Sequence, residues 1–224
     1  MIPTKYPNGS RPRRLYSLGE EIANSLSHGL GAALSVAGLV VLVVLAARLG
    51  DPWRVTSFAI YGSTLTIMYL ASTLYHGVQN RRVKGVLRII DHASIYLLIA
   101  GTYTPILLVS MRGSWGWALF GVIWGLALMG VVLQSFSFQR LRRLELFTYL
   151  MMGWLCVIAW RELSAGISPA GMIWIAVGGL LYTTGVIFYA WHKLPYHHAV
   201  WHLFVLAGSV SHFFAMLFHV LPQA

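Results

Sequence analysis

Five of the nine histidines in the chain lie in one apolar stretch near its C-terminus, from His197 to His219. Two of them, His198 and His202, are four residues apart, so on a helix their side chains share one face. Two imidazoles on one face can hold a metal ion together. The same spacing is also common in helices without a metal, so the pair alone is a weak signal.

Three further residues strengthen the interpretation as a metal site. His76 follows Ser72 by one helical turn, and Asp91 precedes another apolar segment. Three histidines with one open position are the pattern of catalytic rather than structural zinc. Asp91 could bind the metal, hold its water or accept a proton from that water. The alternative is that these histidines pack within the protein or hydrogen-bond lipid and backbone.

The elements that position these residues are predicted by the composition of the chain. Of its 224 residues, 58% are hydrophobic and only 10% charged, which excludes an ordinary soluble domain. Seven intervals contain no Asp, Glu, Lys or Arg: 22–47, 55–80, 92–111, 113–139, 146–160, 163–192 and 194–224. A helix needs about 20 mostly apolar residues to cross the hydrocarbon, so six intervals suffice and the fifth is marginal. We therefore predict an all-α membrane protein, a seven-helix bundle whose fifth span is short or lies in thinned bilayer.

Alternating spans bring the candidate residues to one depth. The second span ends at His76, the third begins at Asp91, and the seventh begins with His198 and His202. Three helices therefore present imidazoles and a carboxylate at the same face of the membrane. Ionisable groups inside spans are costly and usually functional, which favours the metal site over packing.

The basic residues indicate the orientation of the bundle. Twelve of the sixteen lysines and arginines fall on the side of the N-terminus: Lys5, Arg11, Arg13, Arg14, Arg81, Arg82, Lys84, Arg88, Arg140, Arg142, Arg143 and Lys193. The other four are Arg48, Arg54, Arg112 and Arg161. Since Lys and Arg accumulate in cytoplasmic loops, we expect a cytoplasmic N-terminus and an external C-terminus. The net charge of +10 is then an orientation signal and does not indicate nucleic-acid binding.

The first span adds a polar stripe at the same depth. We expect residues 1–20 to form a polar cytoplasmic tail without a signal peptide, and residues 21–224 to form the transmembrane domain. Glu21, Asn24 and His28 share one helical face. Glu20 and Glu21 could interact with the helix N-terminus. For His28 the sequence leaves open whether it supports the site or packs between helices.

The remaining histidines and one proline are expected to be structural. His212 lies ten residues beyond His202, about 15 Å along a helix, so it cannot bind the same ion. His212 and His219 are expected to make structural polar contacts or to belong to a proton path. We expect His192 and His197 to be solvated in a loop and His92 to pack away from Asp91. Glu145 is expected to interact with a helix N-terminus, and Pro105 is expected to kink the third span.

Five segments resemble one family over nearly the whole chain: SLGEEIANSLSHGLG, LASTLYHG, DHASIYLLIAGTYTP, TYLMMGW and HAVWH. They are similar to bacterial haemolysin III proteins, a branch of the progestin and adipoQ receptor family that includes the adiponectin receptors. The resemblance implies a multi-pass protein of the bacterial plasma membrane with a cytoplasmic N-terminus. It also implies a zinc ion held by His76, His198 and His202, with Asp91 contacting the metal's water and Ser72 in the helix 2 motif. The family's E-x-x-N-x-x-S/T-H element matches Glu21, Asn24, Ser27 and His28, for which it implies a structural or supporting role.

Three functions remain open at this point. The resemblance extends to a proposed superfamily of lipid hydrolases that includes alkaline ceramidases, which implies cleavage of a lipid amide or ester by zinc-activated water. In that hypothesis Asp91 is the base or water orienter, and Ser72 donates a hydrogen bond to the developing oxyanion. The alternative is a non-enzymatic membrane sensor, or a permeability-modulating protein, with a structural zinc. The third is ion or proton transport along His202, His212 and His219. In each case membrane lipids are the expected partners, and the sequence gives neither the substrate nor the oligomeric state.

Overall fold

A computed structural model describes residues 16–137 and 142–222 of the chain, and in these ranges all regular structure is helical. The predicted tail therefore lies mostly outside the described residues. The helices are α1 (Leu18–Arg48), α2 (Pro52–Gly77), α3 (Arg81–Pro105), α4 (Ser114–Ser137), α5 (Arg142–Gly153), α6 (Trp160–Gly166), α7 (Pro169–Ala190) and α8 (His197–Ala215). One π-helical turn, Ile106–Ser110, continues α3, another, Met216–Val220, continues α8, and a 3-10 turn, Leu155–Val157, follows α5.

Six of these helices are long and apolar enough to cross a membrane, which confirms the all-α membrane fold. They are α1, α2, α3 with its π turn, α4, α7 and α8 with its π turn. The predicted fifth span is instead broken, because Glu145–Val157 and Trp160–Gly166 meet at 61°. The bundle has seven crossings if this bent pair is counted as one span.

Local sequence explains where the helices begin. Ser17 and Glu20 form a capping box at the start of α1, each side chain bonding the other's backbone N–H. Asp51 caps α2 and Asn80 caps α3. Pro105 does not end the third span, since the helix continues directly into the π turn Ile106–Ser110.

Small residues allow the helices to approach closely. A methyl group at Gly31 of α1 would overlap the Tyr69 ring of α2, and one at Gly101 of α3 would overlap Thr64 of α2. Such contacts are typical of helix packing in membranes, where close backbone approach favours van der Waals contact. Helix α8 packs against α7 and also against α1, so the first and last helices are neighbours.

This arrangement defines one end of the bundle that matters for function. Helices α1, α3 and α8 begin there and α2 ends there, and we call it the proximal end. Residues far apart in the chain, from the start of α1 to the start of α8, therefore meet at the proximal end.

Candidate metal centre

Three buried histidines form the centre of the proximal end. His76 lies in the last turn of α2, and His198 and His202 lie in the first two turns of α8. One ring nitrogen from each lies within 4.8 Å of the others. Zinc binds histidine nitrogen at about 2.0–2.1 Å, so three nitrogens this close together are near the spacing that one shared ion needs. This cluster could hold a metal ion, as the sequence predicted.

The hydrogen bonds of His76 and His202 orient both rings for metal binding. Nδ1 of His76 lies 2.7 Å from Oε2 of Glu21, and Nδ1 of His202 lies 3.1 Å from the Asn24 carbonyl. A carbonyl or carboxylate oxygen can only accept, so in both rings Nδ1–H donates and Nε2 keeps its lone pair. Both Nε2 atoms are buried and have no hydrogen-bond partner among the described residues, and the same holds for Nδ1 of His198. Buried, unpartnered imidazole nitrogens within a cluster of three close histidines suit a bound cation.

The polar stripe of α1 surrounds the cluster. Ser27 Oγ lies 3.1 Å from Nδ1 of His202, and the His28 ring stacks on the His202 ring with centroids 3.4 Å apart. Glu21 contacts His76 as described, and its other oxygen lies 2.9 Å from Nζ of Lys84. The structure thus brings Glu21, Asn24, Ser27 and His28 to the three histidines, while their functional roles stay a prediction.

Asp91 and Ser72 lie beside the cluster rather than within it. Both side chains are buried, and Ser72 is close enough to the Asp91 carboxyl to interact with it. Asp91 does not belong to the group of mutually close ligand atoms, which the three histidines alone form among the described residues. This position suits a carboxylate that holds or deprotonates a water, more than one that binds the metal directly.

An apolar pocket starts next to Asp91 and extends into the bundle. It encloses a cavity of about 150 Å³ and lies between α3, α5, α7 and α8. His28 and Asp91 line its proximal part, and Tyr182 and His212 line its deeper part. The polar residues beside the histidine cluster therefore border a largely apolar cavity, which is the character expected of a lipid tail site.

Sequence reasoning missed two residues at the site. Lys84 was counted only as an orientation charge, yet it pairs with Glu21 and also donates to the Tyr75 carbonyl at 2.8 Å. The Tyr16 ring lies 5.0 Å from the His198 ring, centroid to centroid, at the proximal face of the cluster. Neither has a spacing signal, because both contacts join residues distant in the sequence.

One expectation for the remaining histidines was wrong. His197 is buried, with Nδ1 3.1 Å from the Phe188 carbonyl, whereas His192 is exposed as expected. The left-handed backbone of Tyr196 reverses the chain just before α8, so that His197 already packs against the end of α7.

The other predicted structural residues have definite partners. Nδ1 of His92 lies 3.4 Å from the Glu145 carboxylate, so Glu145 is buried in the first turn of α5 beside an imidazole. Nε2 of His212 lies 3.2 Å from the Ile175 carbonyl, and Nδ1 of His219 lies 2.9 Å from Ser168 Oγ. These contacts show that His212 and His219 both make structural polar contacts.

Comparison with known proteins identifies the family of the chain. The family described as haemolysin-III related matches residues 16–213. The chain is 47% identical over 205 residues to "Hemolysin-3 homolog" of Bacillus subtilis (strain 168), covering 92% of this chain and 96% of that protein. It is 44% identical over 205 residues to "Hemolysin-3" of Bacillus cereus, covering 92% and 94%. It is 30% identical over 203 residues to the human "Monocyte to macrophage differentiation factor", covering 88% and 83%. The chain therefore belongs to the haemolysin III family.

Proposed function

We propose that this protein is a zinc-dependent membrane hydrolase that cleaves an amide or ester bond of an acyl lipid at the proximal end. The observation that carries the proposal is the contiguity of three features: the histidine cluster, the Asp91–Ser72 pair and the apolar pocket. A purely structural metal would need neither a carboxylate such as Asp91 beside its ligands nor an adjacent apolar pocket for a lipid tail.

The proposed ligands are His76, His198 and His202. Zinc in such a site would polarise the carbonyl group of the substrate and activate a water molecule. The all-imidazole donor set suits zinc but also copper, iron and nickel. The resemblance to zinc-binding receptors is the reason for choosing zinc among them.

Asp91 would orient the attacking water and take its proton, since it is a buried carboxylate beside the cluster. The Ser72 side chain interacts with the Asp91 carboxyl, which supports a role in orienting that carboxylate beside the oxyanion role expected from the sequence. Neither ring nitrogen of His28 has a hydrogen-bond partner among the described residues, and His28 lines the pocket beside Asp91. Because His28 is almost fully buried and its ring stacks on the His202 ring, it would support the position of that ligand.

The distribution of Lys and Arg indicates which side of the bilayer the reaction would take place on. The excess of Lys and Arg on the side of the N-terminus supports a cytoplasmic proximal end in a bacterial plasma membrane. The substrate would then enter from the cytoplasmic leaflet.

A structural role for the metal is the second candidate, and one observation favours it. The histidines join α2 to α8, and α1 hydrogen-bonds to both, so a metal would clamp helices from opposite ends of the chain. In that case the protein would act on lipid or on membrane permeability without hydrolysis. The name Hemolysin-3 suggests an effect on membrane permeability for the Bacillus cereus relative.

Elemental analysis and lipid hydrolysis by four purified variants separate these candidates. We expect zinc in the wild type, no zinc in His202→Ala, and wild-type zinc in Asp91→Asn and Ser72→Ala. Loss of a general base typically costs 10²–10⁴ in rate, so release of fatty acid from ceramide and ester lipids should fall about 100-fold or more in Asp91→Asn.

His219→Ala is the matched control, because it removes a histidine from the same helix that is bound to Ser168 away from the cluster. It should keep both zinc and activity. If the wild type binds zinc but releases fatty acid from no lipid in the panel, the structural clamp remains as the function. If folded wild type takes up no metal, both the hydrolase and the structural clamp are ruled out.

A further inference from the structure

A second pair of close histidines lies at the surface of the proximal end, outside the histidine cluster. His192 is exposed in the loop between α7 and α8, and His197 is the first residue of α8. Their ring centroids are 5.1 Å apart, and the planes of the two rings are inclined by 54°. Neither residue takes part in the proposed reaction.

The spacing of this pair is the same as the spacing of the rings in the histidine cluster. There the ring centroids are 5.1 Å apart for His76 and His198, 5.2 Å for His76 and His202, and 4.6 Å for His198 and His202. Two imidazoles that share a tetrahedral zinc through bonds of about 2.0–2.1 Å have centroids about 5 Å apart. His192 and His197 are therefore close enough to hold one ion between them.

His197 has a nitrogen atom that can bind such an ion. Its Nδ1 lies 3.1 Å from the Phe188 carbonyl, which can only accept, so Nδ1–H donates and Nε2 keeps its lone pair. Nε2 has no hydrogen-bond partner among the described residues and is not one of their fully enclosed unpartnered atoms, so it keeps contact with solvent. His192 contributes its imidazole from the exposed loop.

The pair lies between the surface and the cluster. The His197 ring is 6.1 Å from the ring of His198, centroid to centroid, and His198 is one of the proposed metal ligands. Tyr16 packs beside both rings, with centroid distances of 6.0 Å to His197 and 5.0 Å to His198. An ion held by His192 and His197 is thus one imidazole away from the ligands of the cluster.

The charge of the proximal end makes the capture of a cation depend on specific donors. Lys193 directly follows His192 and is exposed. Four further basic residues lie in the first turns of α3: Arg81, Arg82, Lys84 and Arg88. A surface with this excess of positive charge repels a free cation. Exposed imidazoles can hold the ion in spite of this repulsion, because they bind it through nitrogen lone pairs.

We infer that His192 and His197 form a weak zinc site at the surface, which captures the ion and passes it to the histidine cluster. The inference rests on the metal proposed for the cluster and not on hydrolysis. Two protein ligands leave the rest of the coordination shell to water, so the captured ion exchanges readily and is lost during purification. Three imidazoles hold the ion more tightly than two, so transfer runs towards the cluster.

Zinc titration and loading kinetics of the full-length, metal-free protein in detergent test this inference. Trp201 reports on the cluster, since its ring centroid lies 4.8 Å from that of His198 and 5.2 Å from that of His202. The zinc-induced fluorescence change that is absent in His202→Ala is the signal of the cluster. In His192→Gln this signal should appear about tenfold more slowly at limiting zinc, the lower end of the usual cost of a lost metal-site contact. The final zinc affinity of the cluster should equal that of the wild type, while the second, weaker zinc that the wild type binds should be lost.

Lys193→Gln is the matched control. It changes the neighbouring exposed residue, removes a positive charge and keeps both imidazoles, so loading should be as fast as in the wild type or faster. Equal loading rates in His192→Gln and the wild type overturn the inference, and so does a wild type that binds no second, weaker zinc. Because His192 is exposed, we expect His192→Gln to keep the wild-type Tm in thermal unfolding.

The readout separates this inference from the proposed function. Slow loading of His192→Gln in a protein that hydrolyses no lipid would support the capture site and refute the hydrolase. Lipid hydrolysis by a protein whose cluster loads equally fast in His192→Gln and the wild type would do the reverse. A wild type that binds no zinc at all would overturn both.

Discussion

At the scale of single residues, the site depends on a buried carboxylate at the start of α1. Glu21 bonds Nδ1 of His76 at 2.7 Å and Nζ of Lys84 at 2.9 Å. A buried charge without partners is very costly, so the two cationic or donor partners explain how Glu21 is tolerated. The result is a chain of contacts from Lys84 through Glu21 to His76, which fixes the tautomer and direction of that imidazole.

We predict that Glu21→Gln weakens metal binding about 10- to 100-fold, the usual cost of removing a carboxylate that orients a histidine ligand. The amide loses the charge that holds both Lys84 and the His76 Nδ1–H. Titration of the purified protein with zinc against a competing chelator measures the change.

Glu20→Gln is the control for this prediction. Glu20 is adjacent in sequence but completes the capping box with Ser17 at the surface, so its loss should leave metal affinity unchanged. Equal zinc affinity in Glu21→Gln, Glu20→Gln and the wild type would show that Glu21 does not support the metal.

Spacing in the sequence is enough to find the members of the site that lie on single helix faces. His198 and His202 follow from the four-residue spacing, and Glu21 and Asn24 from one stripe of α1. Lys84 could not be found in this way, because its contact with Glu21 depends on how α1 and α3 lie against the end of α2. Long-range side-chain pairs of this kind require the tertiary structure.

At the scale of elements, the close approach of α1 and α2 places the polar face of α1 next to the histidine cluster. Gly31 lies against the Tyr69 ring, and that ring also packs edge-on against His28 with centroids 5.0 Å apart. The Tyr69 hydroxyl donates a hydrogen bond to Ser209 Oγ of α8 at 2.8 Å. Tyr69 therefore joins three helices, and it can do so only because position 31 has no side chain.

We predict that Gly31→Ala destabilises the folded protein by about 1–3 kcal/mol, the usual cost of overpacking a tight contact. The added methyl group would force α1 away from Tyr69 and so move Glu21 and Asn24 relative to their histidines. Thermal unfolding in detergent should show a lower Tm, and zinc affinity should fall with it.

Gly29→Ala is the matched substitution on the same helix. A methyl group there meets only Thr73 Cγ2 at 3.7 Å, an ordinary van der Waals contact. Alanine also has the higher helix propensity, so Gly29→Ala should be neutral or slightly stabilising. Equal loss of stability in both variants would mean that helix flexibility, and not the contact with Tyr69, is what position 31 provides.

Charge-free intervals predict the long spans well and the short one badly. Six intervals became continuous membrane-spanning helices, because each exceeds the bilayer thickness on its own. The interval 146–160 is too short, and the chain there bends by 61° between Glu145–Val157 and Trp160–Gly166. Hydropathy reports length and composition only, so it cannot distinguish a short straight helix from a broken one.

At the scale of the whole molecule, the site exists only when the bundle is closed. Its residues come from α1, α2, α3 and α8, and α8 contacts α1 directly. Metal binding would therefore stabilise the complete fold by mass action rather than any single helix. Arg81, Arg82, Lys84 and Arg88 lie in the first turns of α3 at the same end of the bundle, so the orientation of the protein decides which leaflet the site faces.

We predict that the proximal end faces the cytoplasm. Cys156 is the only cysteine in the sequence, so Cys156→Ser gives a background without thiols. Gly85→Cys places a thiol on α3 at the proximal end, and Gly113→Cys places one in the loop after α3 at the opposite end. Both positions are exposed, and a side chain at either meets no other atom within 4 Å.

A membrane-impermeant maleimide should label Gly113→Cys in intact cells and leave Gly85→Cys unlabelled, and inverted membrane vesicles should give the opposite result. This follows because loops rich in Lys and Arg are retained in the cytoplasm. Labelling of Gly85→Cys in intact cells would place the histidine cluster at the outer leaflet. The proposed hydrolase would then draw its lipid from outside the cell, and the charge asymmetry would need another explanation, such as binding of anionic headgroups.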